Sequence, residues 1–409
     1  MTQNGRLLLV LPLPFRREKD GAVMVESQAA NGLDLWAENF DEVTLAAPLG
    51  SADQGDQRAM LWTPVDELRH RDRIHVELLP EAYGMAAFAR AYAPTRRRLG
   101  ALIDGHQYLS FALAGLTGDW ALVAAREARR KGRPYSIWTD IVNHTAILVG
   151  VEAKPLPNRL KARLMSKLME GQHIDVINKS ALGLFHGADC FEAYSPYCAN
   201  SHLVHDIHLK PADQIDEARL QAKLRRTAQE GALKLVYVGR ASEEKGPLDW
   251  LGTLKLLHEA GAPFEAAWYG GGPMLEEMRT KAAEWGLADS VSLPGFLADR
   301  GEVLDVMRDA DIFMFCHLTQ ESPRCLIEGL KSGAPIIGYG NAFARDLAKD
   351  GGGDFAPVGD RQALANLLLG YARDRKALAR KIEEAAAAGA ELDDVKVFRH
   401  RSELIKEYC

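Results

Sequence analysis

At 409 residues the chain exceeds what one typical hydrophobic core holds, so two domains are expected. Its 47% apolar and 26% charged residues are the proportions of an ordinary soluble globular protein, and a formal charge of -6 argues against wholesale nucleic-acid binding. The five cysteines (Cys190, Cys198, Cys316, Cys325 and Cys409) show neither CxxC nor metal-ligand spacing and fit reduced core thiols of a cytosolic protein.

The chain opens on Leu7-Leu8-Leu9-Val10-Leu11, a buried-strand pattern. The apolar run to Leu13 is short and broken by Pro12, so neither a signal peptide nor a transmembrane span is expected, and the expected location is cytoplasmic. Pro12, Pro14 and the charged run 16–21 form a loop at that strand's carboxyl end. The pattern predicts a helix over 23–40 and strands over 43–47 and 74–79, with a polar connection at 50–73. Residues 108–116 are apolar and fit strand or helix. Residues 119–131 fit a helix that ends in Arg129-Arg130-Lys131 before Gly132. A strand over 135–138 leads into Thr139-Asp140-Ile141-Val142-Asn143-His144, and 189–194 are expected to close this half as a strand. The polar stretch 205–231 is placed as the crossover between domains.

From residue 234 to 335 four features follow in fixed order. Leu235-Val236-Tyr237-Val238 stops at Gly239-Arg240, with Glu244-Lys245-Gly246 beyond. Ala267-Trp268-Tyr269 ends in Gly270-Gly271-Gly272-Pro273. Val291-Ser292-Leu293 leads into Pro294-Gly295-Phe296. Ile312-Phe313-Met314-Phe315 precedes Gln320-Glu321-Ser322-Pro323-Arg324-Cys325-Leu326-Ile327-Glu328 and Gly333-Ala334-Pro335. Each apolar run has the length of a buried strand, and a helical pattern follows each glycine or charge. That is the rhythm of a parallel sheet whose carboxyl edge binds a ligand. Helices are expected over 360–371, 376–388 and 397–408. Both halves alternate strand and helix, which predicts an α/β protein of two doubly wound Rossmann-like domains facing across a cleft. The expected bounds are 1–210 and 211–394, with a final helix at 395–409.

The four features, with Glu328-Gly329-Leu330 and Gly333-Ala334-Pro335, resemble the donor half of a family 4 retaining glycosyltransferase of the GT-B fold. The resemblance covers residues 235 to about 390. It implies a nucleotide diphosphate sugar as donor, UDP ahead of GDP, and a saccharide or lipid-linked acceptor. It also implies retention of configuration, a place in bacterial cell-surface polysaccharide or glycolipid synthesis, and a last helix returning to the first domain. A sugar-nucleotide epimerase of the same fold and a non-catalytic nucleotide-sugar-binding protein are the alternatives.

The residues support such chemistry on their own terms. Arg240 and Lys245 lie just past a strand end, where fixed cations can stabilise a departing diphosphate without a metal. The other reading is a solvated pair beside Glu243 and Glu244. Glu328, after the Pro323 loop, offers a carboxylate for two ribose hydroxyls or for helix-dipole compensation. Amides of Ser322, Arg324, Cys325 and Leu326 can cap sugar or phosphate oxygens at a helix start. Gly239, Gly271, Gly295 and Phe296 are placed at the donor, with plain turns as the alternative. Asp309-Ala310-Asp311 has the D-x-D form of metal-dependent transferases, but it precedes a strand on the wrong sheet edge, so no metal and no cofactor is expected.

By resemblance, the donor sugar is contacted eight residues before Glu328. That position is Gln320, with Glu321 its neighbour, and either can serve. By resemblance too, a His or Asp beside the reacting sugar follows a first-domain strand: Asp140, His144 and His106 are candidates. The loop 16–21 stands where a glycine pair is usual, and only Gly21 remains. Lys179 is read as a surface lysine.

Within residues 158–170, Leu160, Leu164 and Leu168 form one stripe at helical spacing, and Arg159, Arg163 and Lys167 form its neighbour. That is the pattern of a helix lying on an acidic membrane, so a peripheral contact on the inner face is one expectation. A surface helix packed on its own domain is the other. No nucleic-acid partner is expected.

Overall fold

A computed structural model describes residues 5–50, 61–148, 151, 155–205, 207–229, 231–319 and 321–409. The chain divides into two compact units, Met1–His208 with Asp394–Cys409, and Leu209–Asp393.

Unit 1 runs β1 (Arg6–Val10), β2 (Arg16–Arg17), β3 (Val23–Glu26), α1 (Ser27–Asn39), β4 (Glu42–Leu49), β5 (Trp62–Pro64), β6 (Ile74–Pro80), α2 (Met85–Gly105), β7 (Tyr108–Ala112), α3 (Trp120–Arg130), β8 (Ser136–Thr139), α4 (Asn143–Ala146), α5 (Leu156–Ile177), β9 (Leu182–His186), α6 (Gly187–Tyr194) and β10 (Ser201–Val204). Seven strands form a parallel sheet in the order β10-β9-β8-β7-β1-β4-β6. Such a sheet needs helices on both faces. One apolar layer gathers α2, α3 and α5 residues, including Leu99, Trp120, Leu122 and Val176. The opposite layer gathers Leu33 and Trp36 of α1 and Phe40 just past it with Phe398, Leu404 and Ile405.

Unit 2 runs α7 (Glu217–Thr227), β11 (Leu233–Val238), α8 (Pro247–Glu259), β12 (Phe264–Tyr269), α9 (Leu275–Glu284), β13 (Val291–Gly295), α10 (Arg300–Asp309), β14 (Ile312–Phe315), α11 (Arg324–Lys331), β15 (Ile336–Tyr339), α12 (Ala342–Leu347), β16 (Gly353–Ala356), α13 (Arg361–Arg373) and α14 (Arg375–Ala390). Its six strands are all parallel, in the order β13-β12-β11-β14-β15-β16. Every residue of β14 and β15 is buried, which is why these runs are uninterrupted apolar sequence.

The last helix, α15 (Asp394–Tyr408), belongs to unit 1. Phe398 meets Trp36 edge to face at 5.1 Å between centroids. Arg401 is only 1% exposed, its guanidinium 4.9 Å from the Trp36 ring and 5.1 Å from Trp138. Burying the planar cation between two indole faces replaces part of its lost hydration with the rings' negative quadrupole.

Three sequence expectations are corrected. Residues 23–26 are a strand, not the start of a helix, because Val23 and Met24 pair with β2 while Met24 to Glu26 pair with β5. The helix begins at Ser27, where the Glu26 carboxylate accepts from the Ala29 amide at 2.9 Å. Consequently the 16–21 loop is the tip of a β2–β3 hairpin, and the 50–73 connection contains β5; its residues 51–60 lie outside the described residues. Residues 189–194 are helical, and the strand expected there is β9, five fully buried residues earlier in the chain.

Candidate active site

In unit 2 the chain leaves β11 toward β12 and β13, then returns to the other side for β14. The carboxyl ends of β11 and β14 therefore flank the topological switch point, the place where open α/β sheets bind ligands. Two loops meet there. The Leu318 amide donates to the Glu244 carbonyl at 2.9 Å. Gly246 has φ +62°, and a Cβ on it would lie 2.1 Å from the Cys316 carbonyl oxygen, so glycine alone lets the loops close.

This closure joins Lys245 to Glu321. Nζ lies 2.6 Å from Oε1, and the side chains are only 17% and 13% exposed. Burial, the largest single influence, pulls the Lys245 ammonium down, but Glu321 together with Cys325 and Glu244 outweighs it, and the pKa stands above the ordinary lysine value. Glu321 also lies 4.0 Å from His317 Nδ1. The Tyr237 hydroxyl is 2.8 Å from His317 Nε2, and burial, then the Lys245 charge, hold this imidazole neutral well below its usual range. Burial likewise pushes the Cys325 thiol up to about 12 despite the opposing Lys245 charge, leaving it protonated at neutral pH. Arg240, in contrast, is exposed at the same edge.

The glycine turn is bound to this loop. Gly239 donates to the Tyr269 carbonyl and Ala241 to the Gly271 carbonyl, both at 2.9 Å. A Cβ on Gly270 would sit 1.9 Å from the Gly239 carbonyl oxygen. Close approach of the protein's own backbone thus accounts for the glycines here. Gly270 donates in turn to Gly295 at 2.8 Å, and Phe296 beside it is 47% exposed.

Helix starts separate the centre of this edge from its margins. After the outer strands, α10, α12 and α13 are capped by the side chains of Asp299, Asn341 and Asp360. After the three central strands, α8, α9 and α11 have no side-chain cap. Of these, α8 and α9 carry acidic residues in the first turn, whereas α11 carries none and opens with Arg324. Its amino end, formed by Ser322 to Leu326, is therefore left positive by the helix dipole. Glu328 lies one turn inside α11, not at its opening, and accepts from Arg300 Nη1 at 3.2 Å. Gln320 lies outside the described residues.

In unit 1 the switch point falls between β1 and β7, and the loop after β8 lies at the same carboxyl edge. Asp140 there is exposed. His144 is half-buried on α4, with Nδ1 3.3 Å from the Tyr194 hydroxyl and Nε2 3.8 Å from Glu170. Burial lowers its pKa, and Glu170 pulls the other way. His106 does not share this edge. It precedes β7 at the amino edge, with Nε2 2.7 Å from Thr44 Oγ1 and Nδ1 2.6 Å from the Leu102 carbonyl, which is a structural position. Gly21 turns the β2–β3 hairpin, its amide donating to Glu18. Lys179 is exposed just past α5. Asp311 accepts from the Lys234 amide, Thr227 and Arg226 at 2.9 to 3.1 Å, which commits its carboxylate to the amino edge of the sheet.

Sequence reasoning did not find Glu170, Arg300, His317 or Tyr237. Each gains its place only by pairing with a residue distant in sequence. Only His317, one turn before Glu321, carried a local signal.

The fold is that of the GT-B glycosyltransferases. The Anabaena protein HepE, solved in complex with UDP, superposes with a TM-score of 0.67 over 98% of this chain and 100% of its own, at 14% identity. The apo form of the lipopolysaccharide outer core galactosyltransferase WaaB gives 0.62 over 99% and 100%, at 12% identity. Residues 221–388 match the family model of the group 1 glycosyl transferases, so the resemblance drawn from the four motifs holds over unit 2. Among curated relatives, the amylovoran biosynthesis glycosyltransferase AmsK of Erwinia amylovora is 30% identical over 39% of this chain and 42% of its own. The putative colanic acid biosynthesis glycosyltransferase WcaL of Escherichia coli K12 is 28% identical over 34% and 36%. The chain thus matches about two-fifths of the length of these relatives.

Proposed function

We propose that the chain is a retaining glycosyltransferase that moves a sugar from a nucleotide diphosphate sugar, UDP ahead of GDP, to a saccharide or lipid-linked acceptor in bacterial surface polysaccharide or glycolipid synthesis. The observation that carries this reading is the amino end of α11, uncapped and without acidic residues, at the switch point that also holds Lys245 and Arg240. A diphosphate suits such a place, since backbone amides and the cations Lys245 and Arg240 can meet its charge. As the bond from the anomeric carbon to the phosphate oxygen breaks, that oxygen takes the electron pair and its charge grows. Arg240 and the Lys245 ammonium are the cations that meet this charge, so no metal is required. Glu328, held by Arg300, is the reading's ribose contact, and Glu321 or Gln320 its sugar contact. In unit 1, Asp140 and His144 are its groups for the acceptor side. The names of AmsK and WcaL support polysaccharide synthesis, and HepE's complexes with UDP and UDP-glucose support a uridine donor.

The test is a thermal-shift screen of UDP- and GDP-sugars, followed by turnover with the best donor in excess EDTA. A donor that binds only the folded state raises the melting temperature. Nucleotide release and a glycosylated acceptor, undiminished by EDTA, are expected. Arg240→Ala should cut that turnover about a hundredfold. Conversion of donor without nucleotide release would make the protein an epimerase, binding without any conversion would make it a binding protein, and activity restored only by manganese would overturn the metal-free reading.

A further inference from the structure

Helix α5 has two apolar faces. One is buried on unit 1 through Ser166, Met169, His173, Val176 and Ile177. The other points to solvent. Leu156, Leu160, Leu164 and Leu168 recur every fourth residue and are 63%, 59%, 60% and 48% exposed. At 1.5 Å per residue, this ridge runs about 18 Å along the helix. A soluble helix ordinarily presents polar residues opposite its buried face, so a second leucine ridge calls for a second apolar environment.

The charges around the ridge define that environment. Lys161, Arg163 and Lys167 are exposed beside the leucines, and no acidic residue occurs in α5 before Glu170. Lys161 and Lys167 make no ion pair among the described residues. Helices α2, α3 and α5 share one apolar layer and so cover the same side of the sheet. Together they hold eleven Lys or Arg and four Asp or Glu, a local excess of +7 in a chain whose total is -6. Some of these cations are engaged, Arg96 and Arg130 with Glu127 and Arg129 with Asp175, but the excess remains.

We infer that this helix layer is a membrane-docking face, with the α5 leucines entering the surface of an anionic lipid bilayer and the flanking cations meeting its headgroups. A second copy of the chain is the wrong occupant, because two faces of +7 would repel. A bilayer fits better than a folded acidic partner: a leucine ridge needs no shaped pocket in a fluid surface, and basic flanks add attraction to anionic lipids. The face involves no donor or acceptor group, so it stands or falls apart from the proposed activity.

The experiment is cosedimentation of the full chain with vesicles of phosphatidylcholine alone and of phosphatidylcholine mixed with phosphatidylglycerol. Binding to the mixed vesicles is expected to be about tenfold or more stronger than to the neutral ones, and to weaken with salt. The triple variant Leu160→Gln, Leu164→Gln, Leu168→Gln and the double variant Lys161→Glu, Lys167→Glu should each lose about tenfold or more of that binding. All these positions are exposed, so melting temperatures should stay near that of the parent chain. Failure of the parent to bind anionic vesicles at low salt overturns the inference. So does full binding by the leucine variant, which would reduce the face to a basic patch open to any polyanion. A lipid-free dimer abolished by the leucine variant would assign the ridge to self-association instead.

Discussion

Lys245 sits mostly out of water against Glu321, so its role in stability and its role toward a ligand must be separated. Removing one partner of such a pair strands the other charge, whereas removing both relieves it. Lys245→Ala should therefore cost about 3 kcal/mol of folding stability, measured by urea unfolding. The double variant Lys245→Ala, Glu321→Ala should cost less than that single change. UDP affinity by calorimetry should fall in both. Wild-type affinity in the double variant would leave Lys245 a purely structural residue. This pairing was not legible in the sequence. Spacing set Lys245 beside Arg240 and against Glu243 and Glu244, but its partner is 76 residues away. Arg300 and Glu328, 28 residues apart, met for the same reason, and no periodicity in one chain reports such contacts.

At the scale of elements, capping divides unit 2. Helices α10, α12 and α13 satisfy their first-turn amides with Asp299, Asn341 and Asp360, while α11 has no such side chain. A ligand bound at the switch point should slow hydrogen exchange at the first turn of α11 and leave the starts of α10, α12 and α13 unchanged. Uniform protection of all four would instead report general stiffening, and no protection at α11 would remove it from the site. Strands were the most legible elements in this half. Parallel strands buried on both faces, such as β14 and β15, stand out as unbroken apolar runs. In unit 1 that signal failed at β9. Gly183 interrupts the run, although a Cβ there would lie 2.6 Å from the Phe185 ring, so the glycine marks tight packing and not a break. At β3 the pairing with β2 and β5 overrode a helical pattern. The uncapped helix starts were half legible: Pro323 before Arg324 showed no capping residue, but nothing local showed which sheet edge it faced.

For the whole molecule, α15 is the element that completes unit 1. It supplies Phe398, Leu404, Ile405 and Arg401 to the layer around Trp36, Phe40 and Trp138. Burial of three large apolar side chains is worth about 5 kcal/mol or more, which approaches the entire stability of many domains. Deleting 394–409 should lower the calorimetric transition of unit 1 by more than about 10 °C. UDP should still raise the transition of unit 2, whose edge is complete without the helix. An unmoved unit 1 transition would show that α15 only decorates a core already stable.

The same arrangement fixes an order of birth. Unit 2 is inserted between the body of unit 1 and its final helix. A ribosome therefore makes about 185 residues of unit 2 before it reaches Asp394. At roughly 5 to 20 residues per second, that interval lasts about 10 to 40 s. Throughout it, the aromatic bed of Trp36, Phe40 and Trp138 lacks the helix that covers it. The half of the chain translated first is thus the last to mature. Until α15 emerges, the nascent protein carries an open apolar groove, the kind of transiently exposed surface that invites misassembly.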